Sequence, residues 1–207
     1  MTGQKLRTQW SKEPDEEPDY SDWKITLAIK KGDDDTAARS SKTEIKKSLS
    51  SSSLSSSLSS SVTYSVHRTF VGPQSEYFNR IFKSNDGGFS EAHHRHSHID
   101  FPSSISMKSF SLIVEAFEAL LKYCYLENVD FKGTSPVPLL YFCDYFQMVD
   151  DFENKVEEFS MIRFMTSEHK LHLLYEQIIE FRTAGLNVER AQTMTAKSCF
   201  DESCILS

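Results

Sequence analysis

The chain has 207 residues and a formal net charge of −7, which suits one ordinary domain with extensions or two small ones. No basic patch stands out in the composition, so nucleic acid is a poor candidate partner. No apolar run approaches the ~20 residues needed to cross a bilayer.

Residues 1–19 carry Pro14, Pro18 and a run of charges with no periodic apolar positions, which predicts disorder. The same stretch lacks the apolar core of a secretory signal, so none is expected. From 22 to 31, "DWKITLAIKK" sets Trp23, Ile25, Leu27 and Ile29 on one face and Lys24, Thr26, Ala28 and Lys30 on the other. That alternation predicts a half-buried strand. Residues 33–61 follow, and eleven of the fourteen from 48 to 61 are Ser. So polar a tract cannot bury enough apolar surface to offset its ordering entropy, and it is expected to be a disordered insertion. "VTYSVHR" (62–68) alternates again as a second strand. A long flexible loop costs little more to close than a short one, so the two strands can pair across the insertion.

Gly72–Pro73 punctuates the chain, and "SEYFNRIFK" (75–83) places Tyr77, Phe78, Ile81 and Phe82 on one helical face, with Ser75 in position to cap it. "HSHIDF" reads as a third strand stopped by Pro102. The tract "MKSFSLIVEAFEALLKYCYL" is periodic at helical spacing through Phe110, Ile113, Val114, Phe117, Leu120, Leu121 and Cys124, and its length suggests more than one helix. Residues 137–165 predict a helix pair burying Leu140, Phe142, Cys143, Phe146, Met148, Phe152, Val156 and Phe159. Residues 161–184 add one more amphipathic helix, and 185–207 read as a flexible tail.

The order is strand, strand, helix, strand, then helices only. That predicts an α+β domain with a small mixed sheet and a cluster of helices on it. Fifteen Phe against seven Gly suit a helix-rich core packed with aromatics. No GxGxxG, P-loop, GxSxG or HExxH spacing occurs, so neither an enzyme nor a cofactor is expected. Cys124 and Cys143 lie in strongly apolar segments and read as small buried hydrophobes of a reducing compartment. Four histidines crowd residues 93–98. In an extended chain His94, His96 and His98 share one face, a geometry that can chelate a metal. Structural metal sites draw ligands from more than one element, however, so the expectation is no metal site but a solvated binding edge whose charge rises as pH falls through ~6.5.

"VHRTFVGPQSEYFNRIF", "FSE", "IDFP" and "SFSLIVEAFEALLKYCYLENV", in that order and spacing, resemble the BTB/POZ domain. Val66–His67, Ser75 with Tyr77 and Phe78, Phe89 with Glu91, Ile99 with Asp100, and Phe110 through Tyr125 carry the likeness. It covers about residues 20–160, interrupted by the insertion. "PLLYFCDYFQMVDDFENKVEEF" is similar to the helical hairpin that closes the domain, and the helix at 167–181 to the start of a BACK-type extension. The insertion, and the Gly-Pro segment between Arg68 and Gln74, depart from the family pattern.

The resemblance implies a non-catalytic platform that self-associates through its first strand and helix, with Trp23, Ile25, Leu27 and Tyr77 at a homodimer interface. His67 becomes a packed structural residue. In cullin-binding members, an apolar residue followed by x-Glu inserts into the cullin groove, and Phe89-Ser90-Glu91 fits that pattern. The competing reading packs Phe89 on its own domain. A cullin adaptor would also recruit a substrate protein, whose identity the sequence does not name. The last four residues, Cys204 to Ser207, match the C-a-a-X prenylation pattern, with terminal Ser favouring farnesyl on Cys204. One prenyl chain holds a membrane only marginally. The expected location is cytoplasmic or nuclear, with peripheral membrane association only through such a lipid. The alternative function is a structural oligomerisation domain without cullin contact.

Overall fold

The computed structural model describes residues 22–30, 61–85, 95–126, 129–166 and 168–205. Among them are three strands, β1 (Trp23–Ile29), β2 (Ser61–Val66) and β3 (His96–Phe101), in the order β2-β1-β3. β1 pairs antiparallel with β2, from Trp23 opposite Val66 to Ala28 opposite Ser61. It pairs parallel with β3, from Lys24 opposite His96 to Ile29 opposite Phe101. The pairing expected across the insertion is therefore present, and the sheet is mixed as the sequence implied. Residues 31–60, which hold nearly all of the Ser-rich tract, lie outside the described residues.

Strand alternation decides which side of the sheet is buried. Trp23, Ile25, Leu27, Tyr64, Val66, Ile99 and Phe101 all face the core. Ser97, on the same side, accepts a hydrogen bond from Trp23 Nε1 at 2.9 Å, so the buried indole donor is satisfied.

The first two helical segments are short: α1 (Arg68–Val71), then a 3-10 turn over Gly72–Gln74. A Cβ at Gly72 would stand 3.2 Å from Phe82 Cδ2, so glycine allows the turn to pass close beneath that ring. α2 (Glu76–Asn85) begins where the sequence placed its cap: Ser75 Oγ accepts from Phe78 N at 3.2 Å and donates to Phe146 O at 2.6 Å.

α3 (Met107–Leu126) is a single helix, not the two or more its sequence suggested. It buries Ser109, Phe110, Ile113, Ala116, Phe117, Ala119, Leu120, Leu121, Tyr123, Cys124 and Tyr125. A helix enclosed on most sides loses the polar stripe that marks one amphipathic segment, and its extra apolar positions then look like a second one.

α4 (Pro136–Phe146) and α5 (Asp150–Thr166) form the expected pair. Pro136 sits in the first turn of α4, where its missing N–H costs nothing. Gln147 ends α4 in the left-handed region (φ 50°), and its carbonyl accepts Glu76 N at 3.0 Å, which joins this turn to the start of α2.

α6 (Glu168–Thr183) closes in a Schellman-type turn. Leu186 N donates to Phe181 O and Gly185 N to Arg182 O, each at 2.9 Å, with Gly185 at φ 79°.

The region read as a flexible tail contains α7 (Glu189–Ile205). Val188, Ala191, Met194 and Thr195 are buried at near-helical spacing, and α7 packs on α4 and α5. Its stripe is short and partly small or polar, which is why the pattern did not stand out.

Candidate interaction surfaces

β1 lays Trp23, Ile25 and Leu27 into this chain's own core, at 2%, 0% and 0% exposure. The sequence reading gives those side chains to a homodimer interface. Within the single chain they are buried in its own core. Tyr77, the fourth residue of that set, is partly exposed. Its ring lies 5.5 Å from that of Tyr145, a half-exposed residue of α4. Burial, helped by the Tyr145 hydroxyl nearby, pushes the Tyr77 phenol up to about 12, so it stays neutral.

The outward side of the sheet is polar. Thr26 Oγ1 lies 2.7 Å from both Thr63 Oγ1 and His96 Nε2, so one hydroxyl links all three strands. The His96 and His98 rings stand side by side on this face with centroids 4.1 Å apart. Among the described residues no group of three or more His, Cys, Asp or Glu is placed to hold a metal. Phe89, Glu91, His93 and His94 lie outside the described residues, in the connection between α2 and β3.

His67 is packed and hydrogen-bonded, as its structural reading requires. Tyr125 Oη accepts His67 N at 2.8 Å and lies 2.9 Å from His67 Nδ1, while Phe70 and Tyr125 flank the imidazole. Burial pushes the Cys124 thiol up to about 12, far from reactive.

The C-terminal helices are fixed to the rest through two charged side chains, Glu180 and Arg190, that the sequence reading missed. Glu180 of α6 reaches the start of α3: its carboxylate accepts Ser106 N at 2.7 Å and Ser109 Oγ at 2.6 Å. Burial alone would raise its pKa, but these hydrogen bonds and the Lys108 charge outweigh it and hold the carboxyl below its ordinary value. Arg190 of α7 contacts Glu157 at 3.0 Å, Asp144 at 3.2 Å and also Glu153. Asp144 and Glu153 further line a cleft of about 630 Å³ with Glu76 and Asp150. Between residues 162 and 179, Ile162, Met165, Leu173, Tyr175 and Ile179 leave large apolar side chains in solvent. A smaller groove beside them is lined by Leu112, Pro136, Leu173 and Leu174.

The family model for the BTB/POZ domain matches residues 56–161, about half of the chain. The chain belongs to the BTB/POZ family. Members of this family are protein–protein interaction modules, not enzymes. No match was found among curated proteins. The matched stretch starts after the Ser-rich tract begins, yet β1, which precedes that tract, is the central strand of this BTB/POZ sheet. α6 and α7 lie beyond the match and are held to the BTB/POZ helices through Glu180 and Arg190. No pattern in the sequence marks those two contacts, because their partners lie 33 to 74 residues away.

Proposed function

We propose that the chain is a self-associating BTB/POZ adaptor that engages a cullin-type ubiquitin-ligase scaffold. Membership of the family carries the interaction role, and the Phe89-Ser90-Glu91 sequence between α2 and β3 carries the choice of scaffold. An exposed aromatic anchor gives a large contact area at little entropic cost, and a nearby carboxylate fixes register. The apolar side chains exposed on α5 and α6 supply a further surface suited to protein contact. Self-association places Tyr77 and the neighbouring Tyr145 at the contact. The protein works in the cytoplasm or nucleus, and the substrate it delivers is another protein.

Calorimetric titration of the full chain with a cullin N-terminal domain tests the scaffold reading. Binding is expected, with Phe89→Ala weakening it at least about a hundredfold, the loss typical of a buried anchor. No binding by wild type removes the cullin role, and equal binding by wild type and Phe89→Ala removes Phe89 as its anchor.

A second reading, an oligomerisation domain tethered by a lipid on Cys204, rests on the terminal Cys-Ile-Leu-Ser sequence and on Ser207 being the protein's own end. Among the described residues no helix is long and apolar enough to cross a membrane, so a tether would have to be covalent lipid or another segment. Intact mass of protein from its native cell decides: a farnesyl adduct supports the tether, and an unmodified chain ending at Ser207 ends it.

A further inference from the structure

A groove of about 190 Å³ lies where four helices meet: Leu112 of α3, Ser135 and Pro136 at the start of α4, Arg163 of α5, and Leu173, Leu174 and Gln177 of α6 line it. We propose that this groove docks an acidic–apolar segment of a partner protein. One Leu, Ile or Phe side chain of the partner enters it, and a neighbouring Asp or Glu meets Arg163.

Volume decides what can enter. Pockets that hold a whole drug-sized molecule run to about 300–1,000 Å³. At 190 Å³ the groove suits one or two side chains of a peptide instead. Leu174 is buried and Leu173 is 43% exposed, so the apolar lining runs from the core out to solvent. The wall is fixed before any partner arrives. Ser135 Oγ donates to Gln177 Oε1 at 2.5 Å, which ties the start of α4 to α6, and Thr134 N donates to Phe131 O at 3.0 Å in the turn before it. A groove formed in advance costs a ligand less ordering.

Charge selects the partner. The chain carries −7 overall, and its larger cleft is lined by the carboxylates of Glu76, Asp144, Asp150 and Glu153. The small groove has no acidic lining residue, and its one charged member is Arg163. That guanidinium lies 5.6 Å from the Phe159 ring centroid and forms no ion pair among the described residues. The N-terminal end of α4 adds positive potential, since the Ser135 hydroxyl goes to Gln177 and makes no cap bond. With Oε1 taken, Gln177 keeps its amide nitrogen as a further donor. All three features favour a carboxylate beside the apolar side chain.

The chain's own segments outside the described residues fit less well. Leu6 and Trp10 stand among Lys5, Arg7 and Lys12, and the acidic run at 15–19 holds no Leu, Ile or Phe. From 45 to 60, Ile45 and three Leu are separated by Lys and Ser alone. Phe89-Ser90-Glu91 and Phe200-Asp201-Glu202 do carry the pairing. The first is tied to the start of β3, at the far end of that strand from α3, and the second belongs to α7. A separate protein is the occupant that remains. Its docking rests on the interaction role of the family and not on cullin binding.

The test is selection from a random dodecapeptide display library on the immobilised full chain, followed by fluorescence anisotropy of the selected peptides. Peptides that pair Leu, Ile or Phe with a neighbouring Asp or Glu are expected. Their binding should weaken about tenfold or more in Leu173→Asp and in Arg163→Gln. Leu173 is exposed, so Leu173→Asp keeps the fold, which circular dichroism checks. No selected peptide, selected peptides without a carboxylate, or binding that survives Leu173→Asp overturns the site. Competition by synthetic peptides of residues 1–21, 31–60, 86–94 or 198–207 assigns the groove to this chain or a second copy and overturns the separate partner. Displacement by a cullin N-terminal domain assigns it to the scaffold and overturns it equally. Failure of the cullin titration alone leaves these readouts unchanged.

Discussion

Removing the Tyr125 hydroxyl would leave a backbone donor without its partner. Tyr125 is 1% exposed, and its Oη accepts the His67 backbone N–H where β2 turns into α1. In Tyr125→Phe the shape of the ring is kept but the N–H loses its acceptor, and the expected loss is about 1–2 kcal/mol. Urea unfolding of the two proteins checks this, and equal midpoints would mean that water replaces the hydroxyl. The pairing of Val66 with His67 is readable as a pattern, but the Tyr125 contact lies 58 residues away. Trp23, Ile25 and Leu27 were legible as one buried face of a strand. Period-two alternation cannot say whether the cover is a partner or the chain's own helices; within the single chain these side chains are buried in its own core.

At the scale of elements, local order was the most readable part. β1, β2, β3, α2 and the α4–α5 pair follow from alternation, helical spacing and the Ser75 cap. α3 was misjudged in number because a central helix has few polar positions left to show its phase. α7 was missed because its docking depends on Arg190 and its three carboxylate partners, two of them on α5 and one on α4. The attachment of α6 gives a pH test. Glu180 has its folded pKa held below the ordinary carboxylate value, so in the unfolded chain it takes up a proton first as pH falls. Its contribution is present above about pH 4.3 and disappears as pH drops through the lower folded value. Glu180→Gln should therefore cost about 0.5–1 kcal/mol at neutral pH, after allowance for its partial exposure. The gap from wild type should close in acid. Urea midpoints at neutral and acidic pH measure both, and a gap that stays constant would mean that the carboxylate's charge is not what holds α6 to α3.

For the whole molecule, strand order and the mixed sheet place an interaction platform at residues 22–166, with α6 and α7 fastened onto its helical side. The insertion leaves from the end of β1 and returns at the start of β2, two strands already in register, so its length need not disturb the core. The family was legible from the order of short motifs, none of which is specific alone. The contact surfaces were less so, because surface residues are not constrained by periodicity, and the Phe89–Glu91 segment lies outside the described residues. Self-association is the central claim, and light scattering on the full chain eluting from a size-exclusion column tests it most directly. The account predicts a mass of twice 23.7 kDa that falls toward the single-chain value in Tyr77→Asp. A wild-type chain that elutes as a monomer across the accessible concentration range would contradict it.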